Sequence, residues 1–398
     1  MARTRSEGLF TGLTRNTAFL ALASLCADIA TEMLYPVLPI YLTQTLKAGG
    51  GAVGLIEGVA EGTQNVVQGF AGSLSDRLRR RKPVALAGYA VAALSKPLIG
   101  LSSSWPGVLG ARFADRLGTG VRSAPRDALI AASAAEAHRG KAFGLEGAGD
   151  NAGAFIGPLL AVLLLTNFGL DLRWIFYLAA IPGLLAFLMI LLVKEEPVKT
   201  SAKAKLEGGL QRFPARYRAY LAATALFGLG NSSNAFLILQ TRELGASLDL
   251  TILIYAAFNL VAALASYPAG ALSDRMGRRN LLVSALAVFF VSYLGFALTR
   301  NVVLIGVLFA LYGVYQGIFR AVGKALASDL SPETLRASGV GWYGATVGLT
   351  GLFASVVAGQ LWDHVGHAAV FLYGAAAAVV GALALLLLVR SQPSRRQV

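Results

Sequence analysis

Charged side chains are scarce in this sequence: Asp, Glu, Lys and Arg together make up only 14% of its 398 residues. A soluble domain usually carries about 25%, so the deficit argues against a soluble globular protein. Cysteine is nearly absent as well. Cys26 stands alone, which excludes an intrachain disulfide, and no cluster of cysteine and histidine has metal-site spacing. No lysine-containing phosphate loop and no set of nucleophile, base and orienting residue occurs, so we expect neither direct ATP drive nor an enzyme.

Long apolar runs dominate what is present. The chain is 56% hydrophobic, and apolar stretches of about 20 residues, the length that crosses a bilayer, recur to its end. Backbone polar groups in lipid must be satisfied within their own segment, which predicts an all-α membrane protein. The twelve predicted spans are 17–43, 52–74, 83–102, 107–127, 141–167, 174–193, 219–240, 249–272, 281–299, 302–325, 338–361 and 368–389.

The net charge of +14 is distributed by side of the membrane rather than in one patch. Of the 35 lysines and arginines, 28 fall on the side that holds both chain ends, when the inner ends of the spans within 122–141 and 320–336 are counted with that side. An excess of positive residues marks the cytoplasmic side. We therefore expect both termini in the cytoplasm, and a nucleic-acid-binding surface is not expected, because it would cluster without this alternation.

One decapeptide occurs twice. Gly-Ala-Leu-Ser-Asp-Arg-Met-Gly-Arg-Arg stands at 270–279, and Gly-Ser-Leu-Ser-Asp-Arg-Leu-Arg-Arg-Arg stands at 72–81, 198 residues earlier. Each copy lies between two apolar spans, so the chain contains one unit twice. We predict an N-terminal six-helix bundle at 1–193, a cytoplasmic linker at 194–218 and a C-terminal six-helix bundle at 219–398.

The repeated decapeptide and a run of small residues in the fifth span resemble motifs of the major facilitator superfamily, and within it those of the proton-coupled drug antiporters. The fifth-span residues are Gly144, Gly153, Gly157 and Pro158. The resemblance covers essentially the whole chain, and it implies the twelve-helix major facilitator fold, alternating access, and export rather than uptake. Because small residues let two helices approach closely, ordinary helix packing is the other interpretation of this motif.

Four acids stand inside the first two spans. Asp28 and Glu32 are four residues apart on one helix face, as are Glu57 and Glu61. In a regular antiparallel hairpin, residues whose numbers share a sum lie at one level, which predicts Asp28 beside Glu61 and Glu32 beside Glu57. Two adjacent acids cannot both ionise cheaply, so each pair would hold a proton near neutral pH. We predict that these four acids, with Arg112, couple transport to protons.

The alternative is that buried bases neutralise these acids. Lys96 in the third span and Arg112 and Arg116 in the fourth are the candidate partners. Asp115 could in turn neutralise one of the two arginines.

A third group of charges lies at the inner ends of the spans and is predicted to control conformation. Four of its members are expected to form an inner ionic latch: Glu146, Asp150, Arg122 and Arg126. Four others belong to the repeated decapeptides and are expected to hold the inward-closed state: Asp76, Arg77, Asp274 and Arg275. The alternative interpretation is that the decapeptides only fix a cytoplasmic turn and provide positive charges that set the membrane topology.

In the resembled family, spans one, four, seven and ten line the central cavity. Carried onto this chain, the second half would contribute Asn231, Asn234, Gln240, Tyr312, Tyr315 and Gln316. An acidic wall attracts cations, and aromatic faces bind them. The predicted activity is therefore proton-coupled export of a small cationic or amphipathic organic compound. Efflux of a divalent metal ion, which carboxylates suit, and export of a siderophore-like or anionic metabolite held by Arg112 and Arg116 remain alternatives.

The expected partners are thus a small-molecule substrate, protons and the lipid bilayer. No cofactor, no resident metal and no nucleic acid is expected. We expect a monomer that crosses a bacterial inner membrane many times.

Overall fold

A computed structural model describes residues 13–78, 80–135, 138–195, 210–332 and 335–389, and within these ranges the regular structure is helical. Before the linker the helices are α1 (Arg15–Leu34), α2 (Leu38–Ile40), α3 (Gly50–Leu78), α4 (Arg81–Leu101), α5 (Trp105–Ala132), α6 (Arg139–Val162), α7 (Leu172–Leu178) and α8 (Ala180–Leu192). After it come α9 (Ala215–Gly228), α10 (Ala235–Glu243), α11 (Leu248–Met276), α12 (Arg278–Leu298), α13 (Val302–Leu330), α14 (Arg336–His364) and α15 (His367–Leu388). Residues 13–195 are called the N-half and residues 210–389 the C-half.

Each of the twelve predicted spans coincides with one helix or with two consecutive helices. Nine stretches of the described residues are long and apolar enough to cross a membrane by length and composition. The other three spans correspond to α3, to α5, and to the pair α9 and α10. The predicted all-α membrane fold is confirmed.

Proline and glycine explain where spans break into two helices. α1 ends before Pro36, and Pro39 lies in the short α2, because a proline ring removes a backbone donor. α7 and α8 meet at Ala179, where Pro182 cannot donate to the carbonyl of Leu178. α9 ends at Gly228, in a glycine-rich and polar stretch that runs to the start of α10.

The up-and-down path of the helices gives the bundle two ends. The linker end holds residues 194–195 and the start of α1, where Asn16 Nδ2 donates to the carbonyl of Lys194 at 2.7 Å. The distal end holds the turns that join α2 to α3 and α14 to α15. In the N-half, α1 packs against α6 and α8, and α3 packs against α5; between the halves, α3 packs along α14 and α6 along α11.

The apolar core differs between the halves and between the ends. The C-half has a large aromatic core that includes Tyr217, Phe227, Phe289 and Tyr312. A second cluster joins the halves at the distal end, where Leu38 and Ile56 are buried with Phe236, Ala358 and Val370. The distal end is therefore closed by apolar packing between the halves.

Candidate functional site

Arg112 is a buried cation of the N-half that pairs with two acids. Its side chain is 1% exposed, its Nε and Nη2 donate to the two carboxylate oxygens of Glu57 at 3.2 and 3.4 Å, and its Nη1 donates to Asp115 Oδ2 at 3.0 Å. Asp115 follows Arg112 by three residues on α5 and so shares its helix face. All three nitrogens of Arg112 therefore donate to acids of the N-half.

Asp115 joins this pair to two more cations. Its carboxylate is fully buried, accepts from Lys96 Nζ of α4 at 2.6 Å and lies 3.5 Å from Arg116 Nε. Arg116 Nη1 also donates to Gln64 Oε1 at 3.0 Å. Buried charges are tolerated when they are paired and hydrogen-bonded. We call Glu57, Lys96, Arg112, Asp115 and Arg116 the buried ion cluster.

Replacement of Arg112 by methionine is expected to destabilise the protein by about 3–5 kcal/mol, because it leaves the carboxylate of Glu57 buried without its cation. Thermal unfolding of the purified protein in detergent measures the loss. The double variant Arg112→Met/Glu57→Gln removes the stranded charge and should recover part of it. A double variant less stable than the single one would contradict the pairing.

The two predicted carboxylate pairs do not form. α1 is seated on α6 and α8, and α3 on α5 and α14, so the first two spans do not pack along each other. Glu57 binds Arg112 instead of lying beside Glu32, and the salt-bridge alternative describes its geometry. Residue numbers give the depth of a side chain in a hairpin. The direction it faces depends on the helices from elsewhere in the chain that pack against it.

Glu32 faces the C-half. Its Oε2 accepts from Tyr255 Oη at 3.0 Å and from Asn259 Nδ2 at 3.4 Å, both on α11. The rings of Tyr35 and Tyr255 stack beside it with centroids 5.4 Å apart. In the internal repeat Tyr255 and Asn259 correspond to Glu57 and Glu61. At the positions equivalent to these two acids, the C-half carries neutral hydrogen-bond donors. These donors bind Glu32, an acid of the N-half.

Glu61 has no hydrogen bond or ion pair through its carboxylate among the described residues. It lies on α3 one helical turn after Glu57, in a partly exposed position, and its Oε2 faces Gly351 of α14. Arg116 of α5 and Arg320 of α13 interact with it electrostatically without direct contact. Glu61 is therefore the acid of α3 that the buried ion cluster leaves unpaired.

Asp28 is also partly exposed and has no hydrogen-bonded or ion-paired partner among the residues that the structure describes. Its electrostatic neighbours include Asp150, Glu32, Arg122 and Arg126. Together Asp28, Glu32 and Glu61 give the N-half three carboxylates without an ion-pair partner among the described residues, and two of them, Glu32 and Glu61, face the C-half.

The small residues of the fifth span bring α1 and α6 together. A Cβ atom at Gly153 would lie 2.7 Å from Asp28 Cβ, and one at Gly157 would lie 3.0 Å from Glu32 Cβ. Gly149 makes a similar approach to the carbonyl of Ala21, whereas Gly144 faces open space. The glycines that pack against α1 are therefore those at 149, 153 and 157, each four residues apart. They set the position of the two α1 acids. Pro158 is buried within α6.

The predicted inner latch forms in part. Arg126 Nη2 lies 2.8 Å from Glu146 Oε1, and Arg126 Nη1 lies 3.9 Å from Asp150 Oδ1. Arg122 does not join them, because its guanidinium lies 4.5 Å from the ring centre of Tyr89 on α4. Since α5 and α6 both belong to the N-half, these ion pairs join helices within that half and do not bridge the two halves. The side chains of Asp76, Arg77, Asp274 and Arg275 lie outside the described residues.

Several residues predicted for the cavity are core residues of the C-half. Tyr312 and Tyr315 are each 1% exposed and Gln240 is 6% exposed. Tyr312 Oη donates to Asn234 Oδ1 at 2.8 Å. The aromatic side chains pack on one another, and none of the described C-half residues is a buried charge like those in the N-half interior. Asn231, Asn234 and Gln316 remain partly exposed.

Two cations of α13 were not identified from the sequence as functional residues. Arg320 and Lys324 are exposed, and Arg320 interacts electrostatically with both Glu32 and Glu61 across the space between the halves. Lys324 interacts in the same way with Asp127 of α5. The sequence does point to this pair: in this region the two halves align at an offset of 197 residues, which matches Ala128-Leu129 with Ala325-Leu326, and Asp127 then corresponds to the oppositely charged Lys324.

Glycines and one carboxylate close the distal end. Gly50, Gly54, Gly58 and Gly62 lie four residues apart on α3 and face α14, where a Cβ atom at Gly58 would lie 2.8 Å from the carbonyl oxygen of Leu352. Asp363 Oδ1 and Oδ2 accept from the backbone N–H groups of residues 50 and 51, each at 2.7 Å. The carboxylate of one half thus caps a helix of the other.

Comparison with known proteins agrees with this architecture. Residues 20–231 and 220–398 each match the sequence profile described as Major Facilitator Superfamily. An uncharacterised MFS-type transporter of Methanocaldococcus jannaschii is 35% identical over 382 residues, which cover 94% of this chain and 95% of that protein. The multidrug resistance protein MdtG of Citrobacter koseri is 28% identical over 336 residues, or 80% of this chain and 81% of that one.

The fold also matches a solved structure. The nucleoside transporter NupG superposes with a TM-score of 0.79 at 15% identity, covering 95% of this chain and 100% of that one. At this identity the likeness concerns the fold alone.

Proposed function

Because this chain belongs to the Major Facilitator Superfamily and is a multi-pass membrane transporter, we propose that it exports a small cationic or amphipathic organic compound in exchange for protons. The observation that carries the proposal is that three carboxylates of the N-half, Asp28, Glu32 and Glu61, have no ion-pair partner among the described residues, and that Glu32 and Glu61 face the C-half. An acid kept at this depth in a membrane protein is costly unless it is paired or functional. The similarity to MdtG supports export of an organic compound.

The structure fits the inward-facing state of an alternating-access cycle. Positive residues concentrate at the linker end, so this end belongs in the cytoplasm of a bacterial cell. Apolar packing, the α3 glycines and Asp363 close the distal end. In the part of α13 nearer the linker end, Arg320 and Lys324 are exposed and interact electrostatically with acids of the N-half.

The carboxylates can exchange a proton for a cation. When the distal end is open, protons from outside neutralise them and the cargo leaves. When the linker end opens, the protons leave to the cytoplasm and the charged carboxylates attract the next cation. Coupling requires that each conformation be favoured by a different occupant. The stacked rings of Tyr35 and Tyr255 beside Glu32 offer an aromatic surface for an organic cation.

Reconstituted protein provides the test. In proteoliposomes that contain a pH-sensitive dye, added ethidium, a lipophilic cation, should enter the lumen while protons leave, and the dye should report alkalinisation. A pH gradient, acid inside, should accumulate ethidium at least tenfold over liposomes without protein. Ethidium accumulation that ignores the pH gradient would mean uniport, and no movement of ethidium in either direction would reject this cargo class.

A further inference from the structure

We propose that Lys96 is a positioning residue for proton exchange: through Asp115 and Arg112, it sets the charge balance that lets Glu61 ionise. The inference rests on the proposed function, because it concerns the acid proposed to carry the proton. Lys96 is 2% exposed, lies on α4, and has no direct contact with Glu61. Its Nζ donates to Asp115 at 2.6 Å, and the same carboxylate holds Arg112 against Glu57.

The charge count of the buried ion cluster carries the argument. Three cations, Lys96, Arg112 and Arg116, are opposed there by two acids, Glu57 and Asp115. The cluster therefore has one surplus positive charge, and ionised Glu61 balances it. Without Lys96 the remaining four residues would be neutral among themselves, so the cluster would no longer supply a positive charge to ionised Glu61, and Arg320 would be the remaining cation near it among the described residues.

The groups that surround Glu61 are consistent with this balance. α3 contributes Glu57, α5 contributes Arg112 and Arg116, and α13 contributes Arg320. Three tyrosines also interact with Glu61 electrostatically: Tyr35 after α1, Tyr293 of α12 and Tyr312 of α13. α14 presents uncharged Gly351 to the carboxylate. Lys96 of α4 contacts Asp115 rather than Glu61. It therefore affects Glu61 through Asp115 and the two arginines.

The test measures protonation of Glu61 directly and needs no cargo. In a pH titration followed by infrared spectroscopy, the carbonyl stretch of the protonated acid that disappears in Glu61→Gln belongs to Glu61. In Lys96→Met its midpoint should move to higher pH by about one unit, because a nearby positive charge is gone. In Asp115→Asn it should move to lower pH, because a nearby negative charge is gone.

The double variant separates electrostatic positioning from structural damage. Lys96→Met/Asp115→Asn removes one charge of each sign and keeps the surplus of one, so its midpoint should return to the wild-type value. Lys96→Arg should also match the wild type. A midpoint unchanged in Lys96→Met, a double variant displaced further than Lys96→Met, or no titrating band assignable to Glu61 would overturn the inference. If Lys96→Met does not fold, Asp115→Asn against the double variant makes the same comparison.

The readout also separates this inference from the proposed function. If the midpoints follow the charge count but ethidium movement produces no pH change, then Lys96 has the assigned role and the transport proposal fails. If wild-type protein exchanges ethidium for protons and the midpoints ignore Lys96, then the transport proposal stands and this inference fails.

Discussion

Replacement of Glu61 by glutamine is expected to abolish pH-driven accumulation of ethidium while ethidium exchange across the membrane continues. Glutamine has nearly the shape of the protonated acid but cannot release a proton. Since Glu61 has no ion-pair partner among the described residues, the change breaks no direct ion pair. The expected loss of accumulation is at least tenfold, and exchange should stay within about twofold of the wild type. Proteoliposomes assayed with and without a pH gradient measure both quantities.

Two comparisons make this result specific. Glu243→Gln makes the same chemical change at an exposed position at the end of α10 and should leave accumulation intact. Asp28→Asn is expected to behave like Glu61→Gln, because Asp28 is also unpaired among the described residues. Accumulation that survives in both Glu61→Gln and Asp28→Asn would reject proton exchange at these acids.

Replacement of Gly54 by alanine is expected to shift the conformational equilibrium at least tenfold toward the state that is open at the distal end. A Cβ atom at Gly54 would overlap the backbone carbonyl of Ser355 and lie 3.2 Å from Gly359 Cα, so a single methyl group keeps α3 and α14 apart. Opening the distal end gives the methyl room, which favours that state by about 1.4 kcal/mol or more.

Distances between spin labels at the distal end report this shift. Phe168 and Val303 are 67% and 79% exposed there, one in each half. Cys26 is the only cysteine in the chain, so Cys26→Ala gives a background in which only the labelled positions react. In Gly54→Ala the population with the longer distance should grow.

Gly306 provides the matched control. It lies on α13, and a Cβ atom there would meet nothing within 4 Å. Gly306→Ala should keep the wild-type distance distribution. Equal distributions in Gly54→Ala and Gly306→Ala would show that the glycines of α3 do not control closure.

Residue type and spacing predicted most of the buried charged residues, but they did not predict which of these residues form ion pairs with each other. Arg112, Lys96 and Asp115 were recognisable as charges inside apolar spans, and so were the acids of the first two spans. That Glu57 is the partner of Arg112 while Glu61 is left unpaired depends on the packing of α3 between α5 and α14. The aromatic residues of α13 illustrate the same limit: Tyr312 and Tyr315 face the core of their own half.

Apolar run length, loop charge and internal similarity are properties of the chain alone, and they were enough to predict an all-helical membrane transporter built from a repeated unit. Tertiary structure decided which carboxylates are neutralised and which face the opposite half. The physical reason is that an ion pair forms over about 3 Å, a distance fixed by how helices far apart in sequence are rotated against one another. Hydropathy carries no information about that rotation.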